Sequence, residues 1–135
     1  MAESSTRLPR VLCIVSAIFL LATGVIHLAL VFMGTGGLLG VAFTLNGIAG
    51  IVLAIAMVVL RGRLLQLATV LSLLFLIATL FALILALTVG LFGVTESWDG
   101  RLVPQTVVIE SIGIVVLAVT TAVVLRAPVA SKSST

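Results

Sequence analysis

Three polar residues stand inside otherwise apolar stretches of this chain: His27, Asn46 and Glu110. A carboxyl and an imidazole held together away from bulk water can bind a proton, a cation or the polar head of a quinone or lipid. An amide beside them can hold either by hydrogen bonds. An ionisable group within an apolar span costs about 2.5–3.5 kcal/mol on insertion scales, so it usually faces protein rather than lipid and is often functional. His27 is the only histidine, in Gly24-Val25-Ile26-His27-Leu28, and Thr23 lies one turn before it on the same helix face. Each residue also has a plain structural use. His27 can donate to a carbonyl, and Asn46 can join two helices. Glu110, about four residues from the start of its helix, can reach water or the positive end of the helix dipole.

The segments that must position these groups are long and apolar. Of the 135 residues 62% are hydrophobic and 8% charged, against the roughly 25% charged of a soluble domain. No polar stretch exceeds about a dozen residues, too few to bury a core, so no soluble domain is expected. Runs of about 20 apolar residues satisfy their backbone groups as membrane-spanning helices. Four such spans are expected, at about 11–32, 39–60, 64–92 and 106–125, with short polar tails at 1–10 and 126–135, the second disordered. The third, at roughly 43 Å, must tilt or project beyond the hydrocarbon. The first run is longer than a signal core and lacks an A-x-A site, so it reads as a retained span.

Charge sets the orientation. With four spans, Arg7, Arg10, Arg61, Arg63, Arg126 and Lys132 fall on one side and only Arg101 on the other. The positive-inside rule then places both termini in the cytoplasm, with Trp98 as an anchor at the outer surface. The same scatter of single and paired basic residues at span ends gives no basic patch, so the net charge of +3 does not point to nucleic acid. In this frame His27 lies about five residues outside the middle of its span, Asn46 about three and Glu110 about five. All three are expected at a similar depth in the outer half, with Thr88 nearby.

Small residues mark the expected seams, since close packing and polar contacts must hold helices together in lipid. They are Ala42, Asn46, Gly50 and Ala54 in the second span, and Thr69, Ser72, Thr79, Ala86 and Gly90 in the third, with Leu76 and Leu83 filling the series. In the fourth they are Thr106, Glu110, Gly113, Leu117 and Thr120. The fold expected is an all-α, antiparallel four-transmembrane-helix bundle with both termini inside.

Other chemistries lack their parts. One histidine cannot supply two axial haem ligands, and the single cysteine, Cys13, excludes an intrachain disulfide and a thiol-based zinc site. G-x-x-x-x-G-K-[ST], G-x-S-x-G and H-E-x-x-H do not occur. Neither a metal nor a cofactor is expected, and enzymatic activity is not favoured.

With Gly24-x-x-His27-Leu28, a glycine-rich turn at Gly34–Gly37, and Gly40-x-x-Phe43-x-Leu45-x-Gly47, the first half resembles small uncharacterised four-helix membrane proteins of bacteria and archaea. The resemblance implies a four-helix bundle in a prokaryotic plasma membrane and no particular activity. Small multidrug transporters share the length and span number, but their essential glutamate is in the first helix. The expectation is a protein that acts by association in the lipid bilayer, as a homo-oligomer or as an accessory subunit of a membrane complex. The alternative is a small proton- or cation-linked transporter using His27, Asn46 and Glu110.

Overall fold

The computed structural model describes residues 2–127, which are all-helical apart from their connections. The helices are α1 (Ala2–Phe32), α2 (Gly37–Val59), α3 (Gly62–Thr88) and α4 (Val103–Arg126). Each is long and apolar enough to cross a membrane. The expected polar tail at 1–10 is corrected in one respect: from Ala2 it is the first part of α1. Only Pro9 opposes a helix there, and it removes one backbone bond near the helix's free end. Of the expected tail at 126–135, all beyond Ala127 lies outside the described residues.

The helix ends follow from local chemistry. At the end of α1 Gly34 takes φ 106°. Its N–H bonds the Val31 carbonyl at 2.9 Å, and the Thr35 N–H bonds that of Leu30 at 3.1 Å. This pair of bonds closes a helix around a left-handed residue and satisfies its last carbonyls. α3 stops at Thr88 rather than near residue 92, although the apolar run continues, because Gly90 turns left-handed at φ 87°. The Glu96 N–H then takes the Ala86 carbonyl at 2.9 Å. α4 starts earlier than expected, at Val103, because Pro104 sits in the first turn, where no N–H is needed. Between α2 and α3 only Leu60 and Arg61 intervene. The Arg61 guanidinium donates to the carbonyls of Val58 and Leu60, both at 3.1 Å, a cation placed on the negative end of α2.

Short connections fold consecutive helices back on one another. α1 packs against α2 and α4, and α3 against α4, while α2 and α3 make the loosest of the four seams. Around the bundle the order is therefore α1, α2, α3, α4. One end carries the termini and the α2–α3 turn; the other, the loop end, carries residues 33–36 and 89–102.

The two halves are packed differently. The interior of the termini half is closely filled by an apolar cluster, built from Cys13, Ala17 and Leu20 of α1, Met57 of α2, Leu76 of α3 and Leu117 of α4, among others, with the hydroxyls of Ser16, Thr69, Ser72 and Thr120 buried beside it. Ser16 and Thr120 join α1 to α4 there through their hydroxyls, 2.8 Å apart. Toward the loop end this cluster gives out, and the helices surround open space instead.

Between α1 and α2 the contact is backbone on backbone. A Cβ on Gly24 would lie 2.8 Å from the Gly47 carbonyl oxygen, and one on Gly50 2.9 Å from the Leu20 oxygen. The α2 seam thus differs from the expected stripe of Ala42, Asn46, Gly50 and Ala54. Gly40, Gly47, Gly50 and Ala54 are buried, whereas Ala42 is exposed and Asn46 half-buried. Residues four apart advance about 40° around a helix at each step, so the stripe leaves one face and reaches the next.

Candidate functional site

His27 is fixed by the helix that carries it. Its Nδ1 lies 2.8 Å from the Thr23 carbonyl oxygen, one turn back on α1, and a carbonyl only accepts, so Nδ1 bears the hydrogen. Its Nε2 lies 2.9 Å from Asn46 Nδ2 across the α1–α2 seam. An amide nitrogen only donates, so Nε2 accepts and the ring is held as the neutral Nδ1–H form. Phe43, one turn before Asn46, sets its ring edge-on to the imidazole with centroids 5.2 Å apart. His27 and Asn46 are thus brought together. The gap of three residues between Phe43 and Asn46 shows why one α2 face can hold the ring on both sides.

Glu110 lies elsewhere. It is fully buried, and neither carboxyl oxygen has a partner in hydrogen-bond geometry among the described residues: the neighbouring Thr79 hydroxyl is turned to the Leu76 carbonyl instead. Helix register gives its level. Ser16 meets Thr120, and the place of a Gly113 side chain is closed by Phe19 of α1 and Leu76 of α3. One turn toward the loop end, Glu110 is therefore level with Thr23 and Thr79. His27, Asn46 and Thr106 form the next layer, about 5 Å farther on. The expected common depth is thus two layers. Thr88, expected beside them, is exposed and gives its hydroxyl to the Ile84 carbonyl at 2.7 Å. Thr79 and Thr106 take its place.

Both layers open into one cavity of about 1040 Å³ in the loop half. His27, Asn46, Thr79, Thr106 and Glu110 supply its polar wall. The rest of the wall is mainly apolar, with Ala42 and Ala49 of α2 facing Ala78 and Ala82 of α3 along the loose seam. At the mouth stand Glu96 and Arg101, and the Arg101 guanidinium donates to the Met33 carbonyl at 3.1 Å, tying the long connection to the end of α1. His27 and Glu110 share this cavity without a hydrogen bond between them, since both ring nitrogens are engaged elsewhere. Neither His27 nor Asn46 hydrogen-bonds the carboxyl.

Comparisons with protein-family models, curated proteins and solved structures return no match. Among the described residues no three His, Cys, Asp or Glu side chains stand close enough to hold a metal ion together. An apolar chamber with a few convergent polar groups, one of them an unsatisfied carboxyl, is the usual form of a small-molecule site. A group buried without a partner costs stability, and a ligand that supplies the partner recovers it.

Proposed function

We propose that this chain is a multi-pass protein of a prokaryotic plasma membrane, with both termini cytoplasmic, that binds a small molecule in its loop-half cavity. It works within an assembly, as a homo-oligomer or as a subunit of a larger membrane complex. The observation that carries the reading is the Glu110 carboxyl: buried, unpartnered and part of the cavity wall. The orientation rests on charge. Arg61 and Arg63 lie at the end of the bundle where the chain begins and α4 ends, while Arg101 stands at the other, so the cavity mouth faces outward. Assembly is supported by the loose α2–α3 seam, which four helices alone leave open on one side.

Native mass spectrometry of the protein, extracted gently from its own membrane, tests both parts. The expected spectrum shows a defined oligomer or a stoichiometric second subunit, carrying a small molecule that is lost in Glu110→Gln. A bare monomer with no adduct overturns the proposal.

A further inference from the structure

The hydrogen-bonding inventory of the cavity narrows what it can hold. The Thr79 hydroxyl donates to the Leu76 carbonyl at 3.0 Å and the Thr106 hydroxyl to that of Leu102 at 2.6 Å, leaving their lone pairs for the cavity. His27 gives its N–H to Thr23, and Asn46 gives an amide hydrogen to His27, which leaves the Asn46 Oδ1 as an acceptor. Both Glu110 oxygens are unclaimed. Thr23, also unpartnered, is not part of the cavity wall. Below the mouth, the hydrogens left over among the described residues are the second one on the Asn46 amide and the proton that an unpaired, buried Glu110 carboxyl keeps. The chamber's deepest layer is therefore a carboxyl with one proton to give, surrounded by lone pairs and, below the mouth, by no fixed cation among the described residues.

Such a site suits a ligand that brings hydrogens and positive charge. We infer that the cavity takes an amphipathic primary or secondary amine, its ammonium group on Glu110 and its apolar body along α2 and α3. This inference rests on the small-molecule reading of the same cavity. The pairing is balanced: ammonium and carboxylate share one proton between them and bury no net charge, where either alone is costly. An ammonium with two or three N–H groups can reach Glu110 and also the lone pairs of Thr79 or Thr106 in the neighbouring layer. A carboxylate or phosphate head would bring a negative charge that no cation below the mouth offsets. A quinone carbonyl would take a hydrogen from the carboxyl or the amide without the charge pairing that an ammonium makes. The apolar body fits the alanines at 42, 49, 78 and 82, which leave room between α2 and α3 where larger side chains would close it.

Three ten-carbon probes of matched size test the assignment by native mass spectrometry in a neutral maltoside: decylamine, decanol and decanoate. Decylamine is expected to add once per chain, with the other two at least tenfold weaker. A hydrogen bond to a charged group is worth about tenfold or more in affinity, so Glu110→Gln should lower decylamine occupancy by at least that factor. Ala82→Leu, which narrows the space between α2 and α3 without touching the carboxyl, should weaken all three probes. If decanol or decanoate binds as well as decylamine and Ala82→Leu weakens it, the cavity reading stands and the amine assignment falls. If no probe binds, the small-molecule reading itself falls; if binding ignores Ala82→Leu, the placement of the apolar body along α2 and α3 falls. Should Glu110→Gln fail to fold, the selectivity among probes and the Ala82→Leu variant still decide.

Discussion

Glu110 and Asn46 look alike in the sequence, as lone polar residues in apolar helices, and the structure separates them. Asn46 has a partner and Glu110 has none. Opposite responses to substitution are expected. Asn46→Ala strips the His27 Nε2 of its donor and should lower stability by about 1 kcal/mol, read as an earlier midpoint in thermal unfolding followed by circular dichroism. Glu110→Gln breaks no bond, so its midpoint should match or exceed that of the parent. A clear drop for Glu110→Gln would mark the carboxyl as structural. The contrast also explains how far the site could be read in advance. That these residues are polar and face inward follows from composition and helical periodicity. Which of them meet depends on rotation and register, and a difference of one turn decides whether His27 reaches Asn46 or Glu110.

Among the helices, α4 was the most legible. Thr106, Glu110, Gly113, Leu117 and Thr120 follow the true helical period, and all are buried. The α2 stripe departs from the buried face because a strict four-residue repeat drifts, and Ala42 and Ala54 differ by about a third of a turn. What hydropathy could not supply is the intimacy of the α1–α2 contact, where backbone meets backbone. Gly50→Ala would press a methyl against the Leu20 oxygen and the Gly24 backbone, and should cost about 1–3 kcal/mol. At Gly113 the nearest obstacle, 2.8 Å away, is the tip of the Leu76 side chain, which can move. There the gain in helix propensity, about 1 kcal/mol, should leave Gly113→Ala nearly neutral. Thermal midpoints of the two variants, measured side by side, check this, and equal losses would refute it.

For the bundle entire, the number of helices and their apolar character were plain from composition, whereas the chamber was not. It arises because the apolar interior stops partway along, and no periodicity records what four helices leave empty. Orientation can be tested directly. In a Cys13→Ser background, Asp99→Cys should react with a membrane-impermeant maleimide added outside intact cells, and Arg63→Cys should react only after the membrane is opened. The reverse pattern would invert the topology and turn the cavity mouth toward the cytoplasm.

The uneven filling of the two halves also makes the protein a reporter of its own occupancy. In the termini half Leu20, Leu76 and Leu117 do the cohesive work, whereas among the described residues no leucine that lines the chamber is fully buried. Whatever enters will act there as a borrowed interior, supplying the contacts the chain omits. Amide exchange should therefore be fast in the loop halves of the helices when the chamber is empty and slow when it is filled, while the opposite halves stay unchanged. A library of compounds could be sorted by melting alone, with the bundle as the gauge and no assay of activity required.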